Sequence, residues 1–296
     1  MAQEIIATVG AFDGIHLGHR ALLNQLRDLS EVLGLVPVVF TFSPHPAEML
    51  RPELAPPHLA PLEQNVELLR RYGVERVEIL AFTPELASRS AEEFMLELRD
   101  RYGLKALLVG YDHQFGRGAN LTYEDYEAIG RRLGITLYQG SSLRIDDAPV
   151  SSSRIRQLLG AGKTREANAM LGYTYRFSGQ VVGGMRIGRT MGYPTANIRP
   201  DDPRQLIPAD GVYAVRVRIA QCMHTGMLYI GKRPTLDGAE RTIEVNIFDL
   251  SADLYAQRLE LHLETYVRPD CKFPSLEALQ DQIARDEQFV RAYFAS

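Results

Sequence analysis

Residues 10–19, GAFDGIHLGH, leave a chain few ways to fold around them. An apolar run, Ile5–Val9, precedes them and reads as a buried strand. Leu22, Leu23, Leu26, Leu29 and Leu33 follow and fall on one face of a helix. The stretch is therefore a glycine-punctuated turn from the first strand into the first helix. Gly10 and Gly14 permit tight backbone conformations and close approach of a ligand. The turn ends at a helix N-terminus, where free N–H groups and the helix dipole favour a phosphate. His16 and His19 share one side of the first helical turn, and Gly18 between them leaves out a side chain that would crowd that space.

Two imidazoles at a phosphate-binding helix start suit nucleotidyl transfer, which needs donors aimed at charge growing on the α-phosphate and the departing pyrophosphate. A zinc site and a pair of ordinary surface histidines are the alternatives. HExxH zinc sites carry a glutamate between histidines four apart, and that glutamate is missing. GAFDGIHLGH resembles the HxGH motif of the nucleotidylyltransferase superfamily, in the form used by bacterial bifunctional riboflavin kinase/FAD synthetases. The resemblance makes His16 and His19 catalytic and puts Gly10, Phe12, Asp13 and Gly14 beside the nucleotide.

A length of 296 residues accommodates about two domains. The formal net charge of -4 gives no electrostatic reason to expect nucleic-acid binding. Cys222 and Cys271 are the only cysteines, which suggests reduced thiols in a cytoplasm rather than a disulfide framework or zinc cluster. MAQEIIATVG lacks the basic and long apolar regions of a signal peptide, and no apolar run approaches the ~20 residues of a membrane span. The expectation is a cytoplasmic enzyme acting on small molecules, with no membrane or nucleic-acid partner and an oligomeric state left open.

Further along, residues 36–42 (VPVVFTF) read as a second buried strand ending in SPHP. Ligands of open α/β sheets sit outside the carboxyl ends of strands, so His45 is placed to reach the pocket of His16. A surface histidine is the plainer alternative. Leu62, Val66 and Leu69 mark a helix ending near Gly73; residues 76–82 form a strand; Phe94, Leu98 and Tyr102 mark a helix capped by Ser90. Residues 106–109 are a strand running into GYDHQFGRG, residues 123–133 a helix and residues 136–139 a strand. Strand–helix alternation implies a parallel sheet. The loop at 110–118 resembles the family's GxDxxFGxxxxG, which implies substrate contact from Asp112 and ring stacking on the flavin from Phe115. VSSSRIR (150–156) can simply cap a helix. It also looks like the family's ISSTxxR, which implies that Ser152, Ser153 and Arg156 hold the triphosphate, Arg156 as a catalytic cation.

Periodicity changes near Leu171. Residues 160–171 read as two short helical pieces, and Gly172 as a boundary between domains 1–171 and 172–296. A strand at 177–182 leads into GGMRIGRTMGYPTANI (183–198), a pliable glycine-rich loop. Its composition alone is a weak phosphate signal, and PTAN alone is an ordinary turn. As a string, GRTxGxPTAN resembles riboflavin kinases, which implies nucleotide contact from Gly188 and Arg189 and Mg²⁺ ligation by Thr195 and Asn197. Residues 211–220, 227–230, 242–247 and Leu259, Leu261 and Leu263 alternate as antiparallel strands of a small closed barrel. Glu244 opposes Ile243, Val245 and Ile247. A polar-face glutamate is ordinarily solvated, but this strand resembles EVHxxDF, in which the glutamate is the catalytic base. Asn246 (often histidine there) and Tyr229 (often asparagine) depart from the pattern. RPDCKF resembles the family's flavin-side loop, implying flavin contact from Arg268 and Phe273. Leu276, Leu279, Ile283 and Val290 mark a closing helix over the barrel.

The resemblance thus implies an α/β nucleotidylyltransferase domain with a Rossmann-like parallel sheet, followed by an antiparallel β-barrel riboflavin kinase domain with a terminal helix. The implied substrates are ATP, riboflavin and FMN, with Mg²⁺ as cofactor. A sensor that binds these ligands without turnover is the rival reading. Binding alone needs neither His16, His19 nor Glu244.

Overall fold

The structure, a computed structural model, describes residues 3–111, 114–117, 120–183, 192–235 and 238–295, the side chains of 233–240 excepted. Asp112, Gly188 and Arg189 lie outside the described residues. The chain divides into two compact units, Met1–Ser152 and Ser153–Ser296.

In the first unit, β1 (Ile5–Val9) is buried along its whole length. It sits at the centre of a five-stranded sheet with β2 (Val36–Ser43), β3 (Arg76–Ala81), β4 (Leu104–Val109) and β5 (Thr136–Gln139), in the order β3-β2-β1-β4-β5. Every neighbouring pair is parallel. Strands covered on both faces need apolar side chains on both, which is why the central ones read as continuous runs. The order reverses between β1 and β4, and that switch point opens a ligand crevice beyond their carboxyl ends. The turn at 10–19 leaves β1 there.

The helices are α1 (Leu17–Leu33), α2 (Pro46–Leu50), α3 (Leu62–Arg71), α4 (Pro84–Ser88), α5 (Ala91–Tyr102) and α6 (Tyr123–Leu133). Ser90 and Glu93 form a capping box on α5, the cap the sequence predicts. The apolar face of α1 is shorter than its leucine pattern: Leu22, Leu23 and Leu26 are buried, but Leu33 is exposed in the last turn beside left-handed Gly34. A two-stranded hairpin, β6 (Arg144–Ile145) and β7 (Ala148–Pro149), completes the unit.

The second unit begins along α7 (Ser152–Gly160), followed by α8 (Thr164–Leu171). Residues 160–171 therefore hold one helix and the end of another, rather than two short pieces. Six strands close a barrel in the order β10-β11-β12-β9-β8-β13. They are β8 (Arg176–Val182), β9 (Ala196–Pro200), β10 (Gly211–Ile219), β11 (Cys222–Thr235), β12 (Gly238–Ile247) and β13 (Arg258–Pro269). All pairs are antiparallel. Phe177, Val181, Val215, Val217, Leu228, Ile230, Ile243, Val245, Leu261 and Leu263 are buried and fill its core. β9 corrects the reading of 183–198 as loop throughout: ANIRP has little strand character of its own, but it pairs with β12 on one side and β8 on the other. Helix α9 (Leu276–Ala295) packs on β10, β11 and β13. Val290 joins Ala214, Met227 and Phe248 in a cluster under it. That cover explains why the first half of β10 is buried on both faces while Arg216 and Arg218 are exposed. Leu276, expected on the apolar face, stands exposed at the start of α9. Among the described residues no helix is long and apolar enough to cross a membrane.

Candidate active sites

The first site is built on the turn after β1. The Gly10 N–H donates to Phe40 O of β2 (3.0 Å), and Thr41 Oγ1 donates to Ala11 O (3.3 Å), so the turn starts tied to the neighbouring strand. Phe12, Gly14 and Ile15 have positive φ (48°, 83° and 36°). Glycine accepts this at no steric cost, whereas Phe12 and Ile15 store strain that the buried surroundings hold in place. His16 is the N-cap of α1, and its Nδ1 accepts the His19 N–H (3.2 Å). That bond assigns the ring proton to Nε2, which makes it a donor. The His16 and His19 rings stack, 3.7 Å between centroids at 13°, with Phe12 5.2 Å from His19. A Cβ on Gly18 would meet His16 Nδ1 at 3.1 Å and Val150 O at 3.0 Å. The residue between the histidines is thus glycine for want of room, as the sequence implies.

Beneath the turn lies a buried polar network that the sequence reading missed. Asp13, 4% exposed, accepts N–H bonds from Leu59 (3.0 Å to each carboxylate oxygen) and Ala60 (3.1 Å). Asn65 of α3, 6% exposed, accepts the Gly14 N–H at Oδ1 (2.9 Å) and donates from Nδ2 to Ala60 O (3.0 Å). Ser152 Oγ donates to Asp13 O (2.9 Å). Buried polar groups of this kind persist only when paired, and a complete set fixes one backbone conformation. Asp13 and Ser152 therefore brace the turn from below. The clue to Asn65 is its place in the helix: with Leu62 and Leu69 it falls on the apolar stripe of α3, a lone polar residue where leucine is expected.

His45 caps the short α2, its Nδ1 accepting the Ala47 N–H (3.1 Å), which again places the ring proton on Nε2. Its ring lies 5.9 Å from that of His58, whose Nε2 is bonded to Glu48. Phe115 is buried. Its ring stacks on Tyr126 (4.5 Å, 28°) within the sheet–helix core. Its N–H donates to Tyr126 Oη (2.8 Å), and that hydroxyl donates back to Phe115 O (2.8 Å). Phe115 thus anchors the loop after β4. Ser153 is exposed and Arg156 half-buried along α7.

The second site lies on the outer face of β12. Its register sets Glu244 between Tyr229 of β11 and Asn197 of β9. Glu244 is 6% exposed, not solvated as a polar-face residue ordinarily is. Thr195 Oγ1 donates to Glu244 Oε2 (3.1 Å), and Thr242 Oγ1 reaches Oε1 (3.5 Å). The Thr195 hydroxyl and the Glu244 carboxylate, with Asn197 at the paired position of the next strand, are oxygen donors of the hard kind that a divalent cation takes. Among the described residues no group of three His, Cys, Asp or Glu could hold a metal. Asn246 Nδ2 donates to Pro194 O (2.8 Å).

A cavity of about 280 Å³ adjoins this face, lined by Tyr193, Pro194, Asn246, Phe248, Glu287 and Arg291 among others. Burial and the Glu287 carboxylate beside it hold the Tyr193 phenol above its usual range. Arg291 bonds both carboxylate oxygens of Asp249 (2.9 and 3.0 Å) and Glu287 (2.8 Å). Arg268 and Phe273 do meet, the guanidinium 5.6 Å from the ring. Arg268 Nε is also engaged by Asp286 of α9 (2.8 and 3.0 Å), a residue 4% exposed that the sequence reading passed over.

Comparison with known proteins agrees with both halves of this architecture. A family model described as FAD synthetase matches residues 1–154, and one described as riboflavin kinase matches residues 171–294. A Haemophilus influenzae protein named bifunctional riboflavin kinase/FMN adenylyltransferase is 35% identical over 296 residues, covering 99% of this chain and 96% of its own. A Pseudomonas fluorescens protein of the same name is 37% identical over 292 residues, covering 98% and 93%. A crystal structure from Streptococcus pneumoniae, described as a macrolide-efflux protein, superposes with a TM-score of 0.89 at 34% identity, covering 98% of this chain and 95% of its own.

Proposed function

The chain belongs to the bifunctional riboflavin kinase/FMN adenylyltransferase family, and from that premise we propose how its own residues divide the work. The enzyme phosphorylates riboflavin to FMN with ATP and adenylylates FMN with a second ATP to give FAD and pyrophosphate. We assign adenylyl transfer to residues 1–171 and the kinase to residues 172–296.

In adenylyl transfer, ATP lies at the switch point of the sheet with its phosphates toward the N-terminus of α1. His16 and His19 donate from their rings to the α-phosphate and the leaving pyrophosphate as charge develops there. His45 and Asp112 contact the nucleotide, and Ser152, Ser153 and Arg156 serve the triphosphate, the last three on the strength of their motif. Gly10, Phe12, Asp13 and Gly14 shape the turn.

In the kinase, Glu244 accepts the proton of the ribityl hydroxyl as that oxygen attacks the γ-phosphate of ATP. Gly188 and Arg189 contact the nucleotide. Thr195 and Asn197 would hold Mg²⁺, which when bound offsets charge between the phosphates. Arg268 and Phe273 form the flavin side of the site, and Phe115 supports the flavin side of the other by fixing its loop. Two exposed thiols, neither in a disulfide, support a cytoplasmic setting.

The observation that carries this reading is the separation of the histidine turn and the glutamate strand into different compact units. The test crosses two variants with two assays. His19→Ala should slow FAD formation by roughly 10²–10³-fold and spare FMN formation. Glu244→Gln should lower kcat for FMN formation by roughly 10²–10⁴-fold with KM little changed, and spare FAD formation from supplied FMN. Equal loss of both activities in either variant would refute the division.

A further inference from the structure

We infer that Asn246 is a positioning residue for the kinase step: its side-chain amide holds the Pro194 carbonyl so that the next residue, Thr195, keeps its hydroxyl on the Glu244 carboxylate. The inference rests on the reading of Glu244 and Thr195 as the kinase centre.

Glu244 and Asn246 are two apart on β12, so their side chains leave the strand on the same face. Each takes hold of one of two consecutive residues: Asn246 Nδ2 donates to Pro194 O (2.8 Å), and Thr195 Oγ1 donates to Glu244 Oε2 (3.1 Å). The strand ladder between β9 and β12 pairs Ala196 with Val245 and Asn197 with Glu244. The two side-chain bonds continue that attachment upstream to the turn. Pro194 has no N–H, so its carbonyl is the polar handle its backbone offers. The bond needs a donor at position 246. An amide has one, and so does the imidazole often found there in the family. The departure at Asn246 thus keeps the chemistry and changes the scaffold that delivers it. A hydroxyl that donates to a carboxylate and would offer its oxygen to a metal ion is sensitive to its position, and displacement by about 1 Å can cost as much as 10²-fold in rate.

The test compares Asn246→Asp, which keeps the shape but replaces the donor with an acceptor, with Asn246→His, which restores an N–H, alongside Glu244→Gln. Asn246→Asp should lower kcat for FMN formation by roughly tenfold, leave KM for ATP within about twofold, and leave FAD formation from FMN at the wild-type rate. Hydrogen–deuterium exchange should rise in the peptide covering 194–198 and stay unchanged elsewhere in the barrel, with Tm unmoved. Asn246→His should recover most of both. If Asn246→Asp does not fold, Asn246→Ala carries the same expectations. Wild-type kcat in Asn246→Asp, with kcat lost in Glu244→Gln, would overturn the inference and leave the kinase centre standing. A lowered Tm with exchange raised across the whole barrel would also overturn it, reducing Asn246 to a structural residue. Wild-type kcat in Glu244→Gln would remove the kinase-centre reading itself, and the inference with it.

Discussion

The two sites are built by opposite strategies. The histidine turn is one contiguous piece of chain: a strand ends at Val9, seven residues follow, a helix starts at Leu17, and the chemistry lies in the turn and the first turn of that helix. The glutamate face is assembled by register. Tyr229, Glu244 and Asn197 come from three strands, and Thr195 and Asn246 join them through side-chain bonds. The contiguous site derives its rigidity from a local network under the backbone, whereas the assembled site borrows its rigidity from the barrel. Damage to the scaffold should therefore reach the second site from further away.

The largest test of that difference is a truncation. Helix α8 buries Ala167, Met170 and Leu171, and Asn168 donates from Nδ2 to Leu263 O (2.9 Å) while accepting the Tyr175 N–H (2.8 Å). Ala209 N–H also donates to Leu159 O at the end of α7 (3.0 Å). A fragment of residues 153–296 should fold and make FMN. One of residues 172–296 should be weaker by about 3–6 kcal/mol in urea denaturation, from the Met170 and Leu171 side chains alone. Equal stability of the two fragments would show that α8 is no part of the barrel scaffold.

Next in size is Asp286→Ala. Its pair with Arg268 ties α9 to β13, with Asp286 almost fully buried and the Arg268 side chain 18% exposed. Removing one partner of such a pair leaves a charge without its counter-charge and should cost about 3 kcal/mol. FMN formation should fall with stability and FAD formation should not. Both losing together would mean that the two sites share more scaffold than their separate construction implies.

The counterpart in the first site is Asn65→Leu, a change to what the apolar stripe of α3 would otherwise carry. It should cost about 1–3 kcal/mol by leaving Gly14 N–H and Ala60 O without Asn65. It should also slow FAD formation while FMN formation holds. Unchanged FAD kinetics in a destabilised protein would make Asn65 a fold residue only.

Asn65 and Asp286 also mark how far a sequence can be read. The strand–helix alternation, the parallel sheet, the alternating barrel strands and the covering helix were all legible, because hydrophobic period reports which face is buried. The histidine turn was legible because its parts are adjacent. What escaped were polar residues on apolar stripes. Asn65 follows Leu62 by three, and Asp286 follows Ile283 by three. Period alone counts such residues as noise, although a buried polar group is the more informative observation. β9 escaped for another reason: its strand character comes from two neighbours that a local reading cannot supply. The stacking of Phe115 on Tyr126 escaped as well, because the two lie on different elements and no local pattern pairs them.

The smallest expected effect tests the tightness of the contiguous site. Gly18→Ala replaces a hydrogen with a methyl group 3.0 Å from Val150 O and 3.1 Å from the His16 ring. Neither neighbour is a loose side-chain end: one is backbone, and the other is fixed by its bond to His19 N–H. Alanine is the better helix former by up to about 1 kcal/mol, so Tm should move little, the gain in propensity offsetting the crowding. The effect should appear in the chemistry. A shift of a few tenths of an ångström in His16 misaims a donor at the α-phosphate, and FAD formation should slow by roughly tenfold in kcat with FMN formation unchanged. Single-turnover kinetics with saturating ATP and FMN separate that loss from weaker binding. An enzyme that gains Tm and keeps its FAD rate would show that the turn has slack, and that glycine at this position serves the backbone rather than the imidazoles.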